Sequence, residues 1–431
     1  MHQATTGADA ASLLFDLPEY VVLDVRRDAH GGREVFIATE AVEAACPGCG
    51  VLTSRVHQRT VQGLRDVPFG ALVAVRWVKK RWRCTSPACA TVTFTEHTTQ
   101  VPPFSRVTQR LKEKAVAALA GEVRAVDRVG REYGLSWPTV MRQLTAAVAA
   151  QAAKAAERPK LVPHLGIDKH RFRTVRYWRD EHGTWRRIEP WMINFTNLDT
   201  GQVIGVVDGR DAAAVKGWLR SQPRWWRHRV AVVAIDPSAA FRSAVRHLLP
   251  KARVSVDHFH LVKLANDTVT AVRRGVCWDR RDRRGRKTDP VWAHRLLLLR
   301  GYDTLSQRGR ARLQTVLATD DPTDQIGAAW GVKEQLRRVL ACTTLPAARA
   351  ERARFNTYVT WAAMPETTKL KKTIDSWWPE IQTFITTRVT NARTEAANVT
   401  IKNLKRTGRG YRNHQNYQCR IMLYNATKSA A

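Results

Sequence analysis

Short apolar runs that end in aspartate punctuate the middle of the chain. His164-Leu-Gly-Ile-Asp168, Val230-Ala-Val-Val-Ala-Ile-Asp236 and Arg253-Val-Ser-Val-Asp257 are too short for helices and rich in β-branched residues, a pattern that predicts buried strands. Trp191–Leu198 and Gln202–Asp208 read as two further strands, and Ala212–Arg220 and Ser238–Leu249 as helices. Upstream, Tyr20–Asp28 and Glu34–Thr39 predict a hairpin, and Leu72–Trp82 alternates as a strand. Ser105–Ala120 reads as a helix that Ser105 could cap. Ala125–Tyr133, Gly134 and Ser136–Ala149 then have the outline of a helix-turn-helix, with Pro138 in the first turn of the second helix. Downstream of Gly275 the period becomes helical throughout, in Val291–Arg300, Ser306–Ala318, Gly327–Leu340, Ala347–Ala363 and Thr367–Thr386. Trp292, Trp330, Trp361, Trp377 and Trp378 fall in these segments and read as core rather than as a stacking platform.

The central order, three strands and then helix, strand, helix, strand, helix, is that of a ribonuclease-H-like fold. The chain as a whole is predicted to be multidomain α+β: a ribonuclease-H-like catalytic domain interrupted by an all-helical insertion, preceded by a zinc-binding β module and a helix-turn-helix. The boundaries follow the pattern changes: 1–100 for the β module, 101–150 for the helix-turn-helix, and 151–163 for an Ala- and Lys-rich linker. The catalytic domain then runs over 164–275, the insertion over 276–386, and a final helix with a basic tail over 387–431.

Composition changes the picture in one direction. Lys and Arg number 71 against 38 Asp and Glu, a net charge of +33, which calls for a polyanionic partner. Nucleic acid is favoured over a lipid surface, since no apolar run approaches the roughly 18 residues that span a bilayer. The first residues lack the charged and apolar pattern of a signal peptide, so an intracellular protein is expected. Of seven cysteines, four form two close pairs, Cys46-Pro-Gly-Cys49 and Cys84-Thr-Ser-Pro-Ala-Cys89. Each pair offers two thiolates from a tight turn, and four thiolates complete a tetrahedral structural Zn²⁺ site; a redox pair at Cys46 and Cys49 is the alternative that the second pair disfavours. Between the pairs, Arg76, Lys79, Lys80 and Arg81 offer phosphate contacts, while Trp137, Thr139, Arg142 and Gln143 are the candidates for base reading from the second helix of the helix-turn-helix.

An aspartate at a strand end is often only a cap. Asp168 and Asp236 in one sheet, however, form a pair of hard oxygen donors that suits Mg²⁺ or Mn²⁺, and such a pair points to metal-assisted phosphoryl transfer. Asp257 and His260 share a helical face. Glu395 sits in the first turn of a predicted helix, where it either completes the metal site or serves as a capping carboxylate after Asn391. Arg280, Arg281, Arg283 and Arg284 form a basic loop, and Lys402, Lys405 and Arg406 a basic tail, both placed to contact phosphates.

These residues resemble a known family. The two cysteine pairs, the helix-turn-helix, Gly166-Ile-Asp168, Ile235-Asp236-Pro-Ser-Ala-Ala-Phe-Arg, Val256-Asp-His-Phe-His-Leu-Val-Lys-Leu-Ala-Asn266, Asn391-Ala-Arg-Thr-Glu-Ala-Ala-Asn398 and Gly410-Tyr-Arg-Asn together resemble the ISL-three family of bacterial insertion-sequence transposases, in order and over nearly the whole chain. The resemblance implies that Asp168, Asp236 and Glu395 are a DDE triad, with Asp257 and His260 as an accessory Asp-x-x-His pair and Asp257 as the alternative second ligand. It also implies terminal inverted repeats and target DNA as double-stranded partners, an assembly of two or more copies on DNA, and a place in the bacterial cytoplasm at the nucleoid. The expected chemistry is hydrolysis at the element's end, followed by attack of the freed 3′-hydroxyl on target DNA. A non-catalytic DNA-binding regulator, and a nuclease that never joins strands, are the rival functions.

Overall fold

In the computed structural model, which describes residues 7–426, the chain divides into two compact units. One is Arg158–Ile401; the other is formed by the residues on either side of it.

In the flanking unit a helix, α1 (Gly7–Phe15), precedes β1 (Tyr20–Arg27) and β2 (Arg33–Thr39). Asp28 closes their turn by accepting from the backbone N–H groups of His30 and Gly32, at 2.9 and 2.7 Å. Two-residue strands β3 (Ala44–Ala45) and β4 (Leu52–Thr53) bracket the first cysteine pair, and β5 (Val56–Leu64), β6 (Ala74–Arg83) and β7 (Thr93–Thr95) follow. The sheet runs β1-β2-β6-β5 with β7 on β6. Trp77 is fully buried against Tyr20, edge to face with ring centroids 5.5 Å apart, so it and the buried Trp82 hold the module together rather than meet a ligand.

Then come α2 (Gln109–Ala117), α3 (Val126–Glu132) and α4 (Trp137–Glu157). The cap of α2 is Thr108, which accepts from the Leu111 N–H; Ser105 bonds within its own turn, to Val107. Gly134, at φ +62°, makes the turn between α3 and α4. α4 runs on through 151–157, so the expected linker shrinks to the few residues before Pro163: Ala, Gln, Lys and Glu are strong helix formers. The last helix, α17 (His414–Ala426 in chain order), replaces part of the expected tail, and its Leu423 joins the core of α2–α4.

The second unit is built on β8 (His164–Arg171), β11 (Trp191–Asn197), β12 (Val203–Asp208), β13 (Val232–Ile235) and β14 (Arg253–Val256), in the order β12-β11-β8-β13-β14. β12, β11 and β8 pair antiparallel, while β8, β13 and β14 pair parallel. An exposed hairpin of β9 (Arg176–Arg179) and β10 (Trp185–Ile188) intervenes after β8. α5 (Ala212–Ser221), α6 (Arg224–Arg229) and α7 (Ala239–Leu248) cover the sheet, with Asp211 and Ser238 capping α5 and α7. Gly205 lets the Trp218 ring lie on the sheet, stacked on Phe195 at 3.8 Å, where a Cβ would fall 2.2 Å from the indole.

α8 (His258–Arg281) absorbs Arg280 and Arg281 from the expected basic loop; Gly275 is tolerated inside it. A helical stretch follows: α9 (Pro290–Ala293), α10 (Arg295–Leu299), α11 (Gln307–Asp320), α12 (Gln325–Ala341), α13 (Leu345–Ala362), α14 (Pro365–Ser376) and α15 (Trp378–Thr387). The last two were expected as one helix and divide at Trp377. Trp377 is buried as expected, but Trp361 is 74% exposed and belongs to no core. α16 (Ala392–Thr407) leads from this unit into the other.

Candidate active site and cysteine cluster

The parallel register puts Ile167, Ile235 and Val256 abreast on β8, β13 and β14, and the next residue of each strand is an aspartate. Asp168, Asp236 and Asp257 therefore stand side by side along one edge of the sheet. α16 is brought onto that edge because Gly166 has no side chain: a Cβ there would lie 2.0 Å from Thr394 Oγ1 and 2.9 Å from Asn391 Oδ1. The close approach brings three polar side chains of α16 and its lead-in to the strand ends. Asn398 donates to the Asp168 carboxylate, whose other oxygen accepts from the Lys169 N–H at 2.6 Å. Asn391, fully buried, donates to Asp236 Oδ1 at 3.5 Å and to the Ile167 carbonyl at 3.4 Å.

His260 ties the remaining groups together. Its Nε2 lies 3.2 Å from Asp236 Oδ2 and its Nδ1 3.1 Å from Asp257 Oδ2, with Glu395 Oε1 at 3.8 Å. Both ring nitrogens face carboxyl groups, which favours the doubly protonated ring. The hydrogen bond to Asp257 is the main cause that raises its pKa, with Asp236 and Glu395 adding to it against burial. Asp257 itself is buried, with His258 on its other oxygen at 3.6 Å. His258 is in turn stacked on Phe384 with ring centroids 4.6 Å apart.

Burial and the neighbouring Asp236 push the Asp168 carboxyl up to about 7, and burial raises Asp236 as well. At neutral pH the pair therefore holds on to a proton. A cation between the two would displace it, and oxygen donors of this kind suit hard divalent ions. Metal-type donor atoms of Asp236, Asp257 and His260 all lie within 4.8 Å of one another.

A second cluster lies in the flanking unit. The Sγ atoms of Cys46 and Cys89 are 3.8 Å apart, and those of Cys49 and Cys84 3.7 Å. These separations are far beyond a disulfide bond, and they match the edge, about 3.8 Å, of a tetrahedron with Zn–S bonds of about 2.3 Å. The turns are closed locally: Cys46 N–H donates to the Val51 carbonyl and Cys84 N–H to that of Val92, each at 3.0 Å. Burial would raise the Cys46 thiol, but N–H groups of Gly48 and Cys49 win and bring it down to about 7. The donor set fits zinc.

The basic candidates are distributed unevenly. Arg76 pairs with Glu34 at 2.8 Å, Lys79 lies 4.4 Å over the Trp77 ring, Lys80 donates to the Ala41 carbonyl at 2.7 Å, and Arg81 donates to Thr93 at 3.0 Å. On α4, Trp137 and Arg142 are exposed, and Thr139 and Gln143 half-buried, while Val140, Met141 and Leu144 face the core. Arg280 and Arg281 pair with Asp320, and Arg283 pairs with Asp289, leaving Arg284 as the member of the expected loop without an ion pair among the described residues. Lys402, Lys405 and Arg406 lie on α16. Sequence reasoning missed Asn391, Thr394 and Asn398 as site residues. Their signal was a polar set at helical spacing on a stripe that also contains the buried Ala397 and Ile401.

Known proteins match both the cysteine-bearing segment and the larger part of the chain that follows it. A transposase family model of the ISL3 DDE type matches residues 179–421, and a model for the zinc finger of the IS204, IS1001, IS1096 and IS1165 transposases matches residues 43–89. The transposase for insertion sequence element IS1001 from Bordetella parapertussis is 25% identical over 317 residues, covering 71% of this chain and 70% of that one. Among solved structures, a Drosophila P element transposase strand transfer complex is 10% identical with a TM-score of 0.39, covering 73% of this chain and 90% of that one. A pre-cleavage Mos1 transpososome is 11% identical with a TM-score of 0.15, covering 63% and 83%. The chain belongs to the ISL-three family of DDE transposases, enzymes that cleave and join DNA, and carries that family's zinc ribbon near its N-terminus.

Proposed function

We propose that Asp168, Asp236 and Glu395 are the catalytic carboxylates of an insertion-sequence transposase, with Asp257 and His260 as the pair that positions them. The observation that carries this reading is the register that sets three aspartates abreast, Asp168 within β8, which runs on to Arg171 rather than ending there as expected, and Asp236 and Asp257 just past β13 and β14, opposite α16. The strand order β12-β11-β8-β13-β14 supports a ribonuclease-H-like catalytic domain, and the helices from α9 to α15 support an insertion before α16. Asp257 is buried whereas Asp236 is only half-buried, which favours Asp236 over Asp257 as the second ligand.

Mg²⁺ or Mn²⁺ held by these carboxylates would supply activation of the attacking oxygen and neutralisation of the leaving one. The chain's own residues do the positioning. Asn398 and Asn391 fix the two aspartates from the helix side, and the His260 imidazolium steers Asp236 and offsets charge that would otherwise accumulate among four carboxylates. Zn²⁺ on Cys46, Cys49, Cys84 and Cys89 holds the ribbon. The ribbon and the exposed face of α4 read the terminal inverted repeats, through Arg142, Gln143, Thr139 and Trp137 on base edges, with Arg76, Lys79, Lys80 and Arg81 on phosphates. Arg284, Lys402, Lys405 and Arg406 hold flanking or target DNA, and two or more copies act together on paired ends.

The test is cleavage and joining of a labelled duplex carrying the element's end, with Mg²⁺ or Mn²⁺. The native chain should cut and join, Asp236→Asn should bind without doing either, and Asp257→Asn should be slowed but not silenced. Cleavage by Asp236→Asn at the native rate would remove this site from the reaction.

A further inference from the structure

We propose that the arginine-lined hollow formed by α8, the loop after it and α10 binds a phosphate ester. Arg273, Arg274, Arg284 and Arg295 line a cavity of about 250 Å³ together with Trp292, and no carboxylate of the described residues lines it. The neighbouring arginines make the contrast. Arg280, Arg281 and Arg283 are each matched by Asp320 or Asp289, whereas the four in the hollow have no ion pair among the described residues. Arg273 is only 4% exposed, and among the described residues its hydrogen-bond partners are the Arg284 carbonyl, at 3.5 Å, and the Cys277 thiol. Burial together with the like charges of Arg274 and Arg295 weighs against its charged form. A guanidinium nevertheless stays protonated, so this buried cation wants an anion.

The hollow is also built. Gly285, at φ +106°, packs against Trp292, where a Cβ would come within 2.7 Å of the ring. Arg295 lies 4.0 Å over the same ring and donates to the Trp292 carbonyl at 2.9 Å. Loop and helix are thus braced with their guanidiniums presented before any anion arrives. The volume is below the roughly 300–1,000 Å³ of pockets for drug-sized ligands, and guanidinium forks match phosphate oxygens in pairs. Two sources share this chemistry: the DNA backbone, which rests on the transposase reading above, and a free phosphate or nucleotide, which does not.

The experiment compares the native chain, Arg274→Gln/Arg295→Gln, and a control with the same charge change at exposed positions of α11, Arg308→Gln/Arg312→Gln. The first arm follows thermal unfolding in inorganic phosphate against chloride at fixed ionic strength. Phosphate should raise the midpoint of the native chain and the control but not of the hollow variant; equal responses in all three overturn the proposal. The second arm measures binding, without added divalent cation, to end duplexes carrying single neutral methylphosphonates. If DNA is the source, one or two positions should cost the native chain about tenfold and the hollow variant nothing, and the variant's salt slope should fall by about 1. A phosphate response with no sensitive position assigns the site to a free phosphate or nucleotide. Neither arm requires cleavage, so loss of the catalytic reading and loss of this one are told apart.

Discussion

The cysteine cluster and the carboxylate edge are both sets of converging metal-type donors, yet they are made in opposite ways. Each cysteine pair sits on its own short turn, closed by hydrogen bonds a few residues long, and the sulfurs already stand at the spacing of a zinc tetrahedron. The carboxylates come from β8, β13, β14 and α16, segments far apart in sequence, and their charges oppose assembly. The edge is held instead by packing at Gly166, by Asn391 and Asn398, and by the His260 ring, while burial and Asp236 raise the Asp168 pKa to about 7. A structural site can be finished locally. A site that must accept and release charge is left in a state that something else has to complete.

Two substitutions should separate the clusters sharply. Glu395→Gln is expected to reduce strand cleavage by on the order of 10³-fold or more, with end binding and zinc content unchanged. Cleavage within tenfold of native would detach Glu395 from the edge. Cys84→Ser should do the reverse: zinc measured by atomic absorption is lost and end binding weakens more than about tenfold, because the two cysteine turns lose the ion that joins them. Metal content equal to native would break the four-sulfur assignment.

The same contrast explains what the sequence disclosed. The aspartate-bearing strands were legible because their buried runs are branched and short, although β8 continues through Arg171 past its aspartate, and the cysteine pairs because their spacing is local. The β9–β10 hairpin was not, since all eight of its residues are exposed and Tyr177, Trp178 and Trp185 alternate with nothing buried. β5 was missed for a related reason: most of Val56–Leu64 is exposed. α4 overran its expected end because an Ala-rich segment reads equally well as linker and as helix. α17 hid because its buried face includes Arg420 and Asn425, polar residues that donate to the Glu122 and Ile421 carbonyls. Asn391, Thr394 and Asn398 look like an ordinary polar helix start until the absent side chain of Gly166 brings them to the strand ends.

That close approach gives the next prediction. Gly166→Ala must push α16 away from β8 or displace Thr394, at a cost of about 1–3 kcal/mol in stability. A shift of about 1 Å at Asp168 and Glu395 should slow cleavage by about 10²-fold. The zinc ribbon should be untouched, so loss of zinc from this variant would mean that the two clusters are not independent.

The smallest expected effect concerns protons. Asp168 has its folded pKa raised to about 7 from a usual value of 3.8, so between these the folded chain binds a proton that the unfolded chain has released. Its contribution to stability is complete below about pH 4 and is lost as the pH rises through about 7. His260, also raised, loses its contribution as the pH climbs above its ordinary value of 6.5, in the same direction. Without divalent cation, the thermal midpoint of the second unit's transition should therefore fall by a few °C, roughly, between pH 5.5 and 7.5. Mg²⁺ takes the place of the proton, so its stabilisation should be larger at pH 7.5 than at 5.5. Asp168→Asn, with nothing to titrate, should flatten the first trend and abolish most of the second. If the variant keeps the native slope, the shared proton lies elsewhere, and the carboxylate edge is no more frustrated than the cysteine cluster it has been set against.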